Sequence, residues 1–248
     1  MARATSATLG AVVTVSLAAV LLLAVRAPAV AQRPPASPAP TMLSPEQVPR
    51  STGHRSARIV RPLLLRERPG GRVLRTIGPR TQFGTPSVLA VVAQRPGWLG
   101  VLTHHVANSR IAWIPDSGAQ LTPVAYSLRV DLSARTLVVR LHGRIVRRII
   151  VAIGLPQTST PTGRFAVTDV LTVREKGSPY GCCVLALSGT QPNVPQGWTG
   201  GNRLAIHGTT NERTLGSPAS SGCLRAAATD MRWLMAVVAV GSPVFIRA

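Results

Sequence analysis

Short apolar runs separated by glycine and proline constrain the fold of this sequence more than any other feature. The 248 residues include 22 glycines and 21 prolines. Most apolar runs after residue 56 are about four to seven residues long, which is the length of a strand rather than of a helix. The pattern therefore predicts strands joined by turns and argues against a helical bundle. Hydrophobic residues make up 45% of the chain, enough for a core, which excludes wholesale disorder.

The strong positive charge limits the partners. Arginine and lysine together number 28 against 8 acidic residues, a formal charge of +20. Such a charge indicates nucleic acid, an anionic membrane face or an anionic polymer of a cell envelope as neighbour. The alternative is a solubilising charge on a secreted protein. Because aromatic residues are only 4% of the chain, few side chains can stack on bases. We expect no nucleic-acid partner.

The N-terminus has the pattern of an export signal. An apolar run without charges extends from Gly10 to Val25 and is shorter than the roughly 20 residues that a spanning helix needs. It is followed by the small residues Ala29 and Ala31, which suit a cleavage site. We predict a signal peptide at 1–31, cleaved after Ala31. The alternative is an uncleaved anchor, which Arg26 would fit. Both alternatives place the remaining chain in the envelope, periplasm or cell wall. Contact with the membrane is then expected only through residues 1–31, if they are not cleaved.

Composition divides the rest of the chain into three parts. Residues 32–56 are rich in proline, alanine and serine and are predicted to be a flexible linker. Residues 57–118 contain five or six short β-like runs, which describe a small barrel. Their order resembles a bacterial SH3-like module, with a turn at 69–71 and a glycine-tryptophan step at Gly97-Trp98.

The last part, 123–248, is predicted to be a mostly β domain with a single helix. Alternating apolar residues from 126 onward predict strands with turns at Ser133-Ala134 and His142-Gly143. A helix is predicted over residues 224–239, and VFIRA closes the chain as a strand.

The residues with catalytic potential lie between His207 and Arg225. A histidine ends an apolar strand, a loop of small residues follows, and Cys223 comes directly before the predicted helix. An imidazolium and a helix N-terminus both lower a thiol pKa, and we expect Cys223 to have both. The first N–H groups of that helix could hold an oxyanion, and Ser220 and Ser221 could cap it. The alternative is a buried structural cysteine and a hydrogen-bonded strand-end histidine.

This segment resembles the signature of the L,D-transpeptidase catalytic domain, the YkuD-like family of bacterial cell-wall enzymes. The shared pattern is I-H-G-T at 206–209 and S-S-G-C-L-R at 220–225. A second shared element is T-P-T-G-R-F at 160–165. The sequence departs from many members at Ser221, where they carry histidine. The fold implied is a small SH3-like β-barrel followed by a β-rich catalytic domain with one main helix after the catalytic cysteine.

The resemblance also implies roles for individual residues. Cys223 would be the nucleophile, His207 its base, and the carbonyl of Gly208 would orient the imidazole. The backbone N–H groups of Gly222 and Cys223 would form the oxyanion hole. The residues expected to bind substrate or shape its pocket are Arg225, Ser220, Ser221 and Thr209.

The implied reaction is acyl transfer between peptidoglycan stem peptides. A thioester formed on a tetrapeptide donor would pass to a diamino-acid side chain, giving a 3→3 cross-link. Water as acceptor would make the protein an L,D-carboxypeptidase, and a non-catalytic wall-binding protein on the same fold is a further alternative. Anionic wall polymers are an additional expected partner. The resemblance implies that carbapenems acylate Cys223 and that no metal or organic cofactor is needed.

Two adjacent cysteines, Cys182 and Cys183, stand outside this pattern. Neighbouring Cα atoms lie about 3.8 Å apart, below the usual range for a disulfide. We therefore expect the two side chains to point to opposite faces of a strand. A zinc site made from them with His207 and Cys223 lacks the usual ligand spacing, so no metal site is predicted.

Overall fold

The computed structural model describes residues 53–194 and 201–248. The predicted signal at 1–31 and residues 32–52 of the predicted linker lie outside the described residues. Within them, strands dominate, and the prediction of a mostly β protein is confirmed. No helix in the described part of the chain is long and apolar enough to cross a membrane.

A seven-stranded sheet forms the first half, in the order β3-β2-β6-β5-β4-β1-β7. Its strands are β1 (Arg55–Ile59), β2 (Leu63–Arg66), β3 (Val73–Ile77), β4 (Val88–Arg95), β5 (Trp98–Leu102), β6 (Ile111–Pro115) and β7 (Ala119–Pro123). They enclose a core of their own that includes Leu65, Leu99 and Ile114. The likeness to SH3 modules and the domain boundaries at 57, 118 and 123 stay predictions.

The second half is built on an eight-stranded sheet in the order β10-β9-β8-β17-β12-β13-β14-β16. Its strands are β8 (Tyr126–Asp131), β9 (Thr136–Leu141), β10 (Arg144–Ile150), β12 (Gly163–Thr172), β13 (Cys183–Thr190), β14 (Arg203–His207), β16 (Leu224–Arg225) and β17 (Pro243–Arg247). A separate pair joins β11 (Ile153–Gly154) to β15 (Pro218–Ser220) in parallel.

The predicted hairpins are present because their turns suit the sequence. His142 (φ 48°) and Gly143 (φ 80°) both have positive φ, as a two-residue hairpin turn with the right twist requires. On β8, Leu128 and Val130 are fully buried while Arg129 between them is exposed. This alternation turns one face of the strand toward the core.

The predicted helix over 224–239 is shorter than expected. The helix α1 spans Ala228–Val237, and its N-cap is Ala227, whose side chain makes no capping hydrogen bond. Leu224 and Arg225 instead form β16, which pairs in parallel with β14. Extended backbone is incompatible with helix at these two positions. The predicted capping of this helix by Ser220 and Ser221 is therefore wrong.

Candidate active site

A small cavity of about 100 Å³ lies beside β14 and the segment 220–225 that leads into β16. Of the predicted site residues, those that line it are His207, Ser220, Ser221, Cys223 and Arg225. A larger cavity of about 550 Å³, lined by Arg75, His105 and Asp169 among others, contains none of them.

Cys223 sits against the backbone of β14 at the start of β16. Its free thiol is half-buried, and Sγ lies 3.8 Å from the carbonyl oxygen of Arg203. Burial raises the pKa of this thiol, while a hydrogen bond with the backbone of Ala205 and the charge of Arg225 partly oppose that rise. Because α1 begins only at Ala228, the expected lowering of the thiol pKa by a helix N-terminus is wrong.

His207 ends β14 and is buried, with 4% of its surface exposed. Its Nδ1 lies 2.6 Å from the carbonyl oxygen of Gly208. Since a carbonyl can only accept, Nδ1 carries the proton and Nε2 of the neutral ring keeps its lone pair. Burial lowers the pKa of His207 to about 4; the Gly208 carbonyl opposes this shift and the Arg225 charge adds to it. The ring edge meets Tyr180 with ring centroids 5.1 Å apart.

Cys223 and His207 are therefore both uncharged at pH 7. A histidine with a pKa of about 4 is uncharged there, and a thiol with a raised pKa is protonated. The expectation that an imidazolium lowers the thiol pKa is not met. The arrangement instead suits a base that takes the proton during the reaction.

Internal hydrogen bonds shape the loop before Cys223. The Ser220 hydroxyl donates to the carbonyl oxygen of Cys223 at 2.5 Å and accepts from the N–H of Gly222 at 3.1 Å. Ser220 is almost fully buried. The Gly222 amide, predicted to be part of an oxyanion hole, thus already has a partner within the loop.

Arg225 connects this loop to its surroundings. Nη1 donates to the carbonyl oxygen of Ala219 at 3.0 Å. Its backbone exchanges two hydrogen bonds with Ala152. Nε is buried and has no hydrogen-bond partner among the described residues.

Thr209 and Gly208 are predicted site residues that lie outside the lining of the cavity. The Thr209 hydroxyl accepts from the N–H of Asn211 at 3.1 Å, which orders the turn after β14. The substrate-binding role predicted for Thr209 stays a prediction, while Gly208 acts on the site through its carbonyl.

The second half of the chain is similar to known proteins. Residues 125–246 match the model of the YkuD family, the L,D-transpeptidase catalytic domain. These residues belong to that family. The YkuD proteins of Bacillus subtilis (strain 168) and Bacillus licheniformis, both named as L,D-transpeptidases, are 31% and 30% identical to the chain over 123 residues. The alignments cover 50% of this chain and 66% of each relative.

Solved structures of L,D-transpeptidases are also similar. One from Mycobacterium smegmatis aligns with a TM-score of 0.40 and 21% identity, covering 56% of this chain and 73% of that one. L,D-transpeptidase 3 from Mycobacterium tuberculosis aligns with a TM-score of 0.43 and 17% identity, covering 56% and 74%. Likeness at this level carries no argument about function.

Gln191 is a site residue of this L,D-transpeptidase domain that sequence reasoning missed. Its side chain is 2% exposed, and Nε2 donates to the carbonyl oxygens of Thr158 and Ser159, both at 3.0 Å. A longer contact of 3.4 Å reaches the carbonyl of Ser221. The sequence gives no specific signal for Gln191, because a single glutamine between apolar segments is common in loops.

The vicinal cysteines are joined. Cys182 and Cys183 form a disulfide with Cα atoms 3.7 Å apart, so the prediction of opposite-facing side chains is wrong. Strand alternation does not apply, because Cys182 lies in a turn and β13 begins only at Cys183. Within the described ranges no three histidine, cysteine or acidic side chains are grouped to hold a metal ion.

Proposed function

We propose that this protein is a peptidoglycan L,D-transpeptidase that uses Cys223 as nucleophile and His207 as base. The observation that carries the proposal is the shared cavity: the free thiol and the buried imidazole line it together. The imidazole is held in the tautomer that presents Nε2 by Gly208. Membership of residues 125–246 in the L,D-transpeptidase catalytic domain family supports the reaction class.

In the first half-reaction, Cys223 attacks the carbonyl carbon before the terminal D-residue of a tetrapeptide donor. His207 Nε2 takes the thiol proton as the bond from Sγ to carbon forms. The amide bond to the D-residue then breaks, and its nitrogen leaves as an amine with the proton that His207 returns. The product is a thioester on Cys223.

In the second half-reaction, the amine of an acceptor stem attacks the thioester carbon. His207 takes a proton from the attacking amine and gives it to the departing sulfur, which restores the thiol. The new amide bond is the 3→3 cross-link. If water attacks instead, the product is a carboxylic acid and the enzyme acts as an L,D-carboxypeptidase.

Negative charge on the carbonyl oxygen has to be stabilised in both steps. The Gly222 and Cys223 N–H groups would do this once the oxyanion replaces Ser220 Oγ as the partner of the Gly222 amide. The Arg225 guanidinium supplies positive charge at the same cavity. No metal or organic cofactor takes part in the proposed chemistry.

The location proposed for the reaction is the cell envelope. The apolar N-terminal segment favours export, and the formal charge of +20 suits anionic wall polymers. The peptidoglycan stem peptides are the proposed donor and acceptor.

Purified tetrapeptide stems test the proposal directly. The protein is incubated with stems alone and with stems plus an amine acceptor, and the products are weighed by mass spectrometry. We expect release of the terminal D-amino acid and a dimer whose mass equals that of two stems minus that of the free amino acid. The matched control is Cys223→Ser, which replaces the thiol with a hydroxyl of similar size and should release nothing. Turnover by Cys223→Ser equal to wild type would reject the nucleophile, and tripeptide without dimer would identify a hydrolase.

A further inference from the structure

A side chain from the seven-stranded sheet holds the end of a strand next to the nucleophile. Asn108 lies in the connection between β5 and β6. Its Nδ2 donates to the carbonyl oxygen of Thr190 at 2.7 Å, and its Oδ1 accepts from the N–H of Thr190 at 2.8 Å. One amide thus satisfies both backbone polar groups of the last residue of β13, as a neighbouring strand would.

The peptide unit that follows Thr190 is fixed from two sides. Its carbonyl is the acceptor of Asn108 Nδ2. Its N–H, which belongs to Gln191, donates to the carbonyl oxygen of Asn202 at 2.7 Å. With both ends of this rigid unit bonded, the position of the Gln191 Cα atom, from which the side chain leaves the backbone, is set.

Gln191 leads from that peptide unit to the loop of the nucleophile. Its Nε2 reaches the carbonyl of Ser221. Its amide also packs over Gly222, where an added Cβ would collide with it. These two residues directly precede Cys223, so a shift of Gln191 moves the backbone that carries the thiol.

A second route runs across the sheet. Thr190 is the register partner of Arg203 on β14. The Arg203 carbonyl oxygen is the one that lies 3.8 Å from Cys223 Sγ. Both chains of contacts begin at Thr190, to which Asn108 is hydrogen-bonded, and both end at Cys223.

We propose that Asn108 is a positioning residue for Cys223, so that the seven-stranded sheet sets the reactivity of the catalytic cysteine. Asn108 touches no reacting atom and acts through Thr190 and Gln191. The inference rests on the proposed function for the acylation measurement, but the reactivity of the thiol can be measured without it.

The neighbouring residue offers a matched control. Ser109 also joins the two sheets, because its hydroxyl accepts from the N–H of Arg164 at 3.0 Å. That contact lies at the start of β12, where the strand pairs with β17. Ser109 has a φ of 63°, which glycine adopts freely. Ser109→Gly therefore removes a contact between the sheets without backbone strain.

The test compares wild type, Asn108→Ala and Ser109→Gly in two measurements. The first is the rate of Cys223 acylation by a carbapenem, normalised to folded protein from circular dichroism. The second is the pH profile of alkylation by iodoacetamide. The chain has three cysteines and two form the disulfide, so the reagent reports on Cys223.

We expect Asn108→Ala to acylate about tenfold more slowly, since small misplacements of a reacting group are costly. The midpoint of its alkylation profile should move down toward an ordinary thiol pKa, because burial against β14 is what raises the pKa of Cys223. Ser109→Gly should match wild type in both measurements. Asn108→Asp keeps the acceptor for the Thr190 N–H and loses the donor to the Thr190 carbonyl. It should also acylate slowly. If Asn108→Ala does not fold, Asn108→Asp serves as the test of the proposal.

An Asn108→Ala protein that matches wild type in both measurements would overturn the proposal. Equal slowing in both variants would overturn it as well, since that would be a general effect of loosening the two sheets. If the carbapenem fails to acylate wild type, the proposed function fails on its own. The alkylation profiles then decide the role of Asn108 by the same criteria.

Discussion

His207 Nδ1 donates to the carbonyl oxygen of its own neighbour, Gly208, over 2.6 Å. A backbone carbonyl here takes the place of the acidic side chain that orients histidine in many triads. A carbonyl fixes the tautomer but carries no full negative charge, and burial lowers the pKa of the ring to about 4. The imidazole is therefore neutral over the whole physiological pH range.

Stability should fall with acid because of this buried ring. An unfolded histidine takes up a proton below about pH 6.5, while His207 in the folded protein does so only near pH 4. Between these values the unfolded state binds more protons, so the free energy of unfolding decreases as pH falls. Between pH 7 and pH 5 the loss from His207 is about 2 kcal/mol.

Urea unfolding of wild type and His207→Gln at both pH values measures this loss. The variant should lose about 2 kcal/mol less than wild type. His104 and His105, whose pKa values are also lowered by burial, contribute equally to both proteins and cancel. Equal losses in the two proteins would show that His207 titrates normally.

Gly222→Ala should damage the site beyond the cost of its backbone conformation. Gly222 has a φ of 116°, and a Cβ there would collide with the Gln191 amide. We expect a loss of stability of about 1–3 kcal/mol and strongly reduced acylation of Cys223. Gly70→Ala is the control, because Gly70 also has positive φ (67°) but open space around its Cα. Its thermal stability should drop slightly and its acylation rate should stay unchanged, and an unchanged rate in Gly222→Ala as well would refute the close contact.

Removing the Gln191 amide should leave the carbonyls of Thr158, Ser159 and Ser221 without this donor. An unsatisfied buried polar group costs about 1–3 kcal/mol, so Gln191→Leu should be less stable by this order in urea unfolding and slower in acylation. Gln120 is exposed on β7. Gln120→Leu should change stability by less than about 0.5 kcal/mol. Similar stability of the two variants would mean that the Gln191 hydrogen bonds contribute nothing.

Thiol titration should count one reactive cysteine in the native protein. Cys182 and Cys183 are bonded to each other, and Cys223 is free. After reduction and unfolding, all three cysteines of the chain should react. Three reactive thiols in unreduced, unfolded protein would contradict the disulfide.

The motif residues could be placed from sequence because their local patterns agree with the fold. Ile206 and His207 end a strand as the apolar pattern predicts, and the loop at 220–223 returns to the same edge of the sheet. The pairing of Leu224 with Ile206 was not predictable, because leucine, arginine and three alanines are all good helix formers. Tertiary pairing overrides that preference at β16 and moves the helix away from Cys223.

Two further features depend on contacts distant in sequence. Gln191 bonds to carbonyls about thirty residues away on both sides, and no local pattern encodes such a contact. Asn108 reaches Thr190 from the other sheet. The disulfide was not expected because neighbouring Cα atoms lie closer together than the usual range for a disulfide, yet Cys182 and Cys183 form one with Cα atoms 3.7 Å apart.

The intact mass of the protein after incubation with a carbapenem tests the central claim most directly. Wild type and Cys223→Ala are treated side by side, with circular dichroism to show that both are folded. The account predicts one adduct on wild type, equal to the mass of one carbapenem, and none on Cys223→Ala. Folded wild type without an adduct, or an adduct of the same yield on Cys223→Ala, would contradict the assignment of Cys223 as the nucleophile.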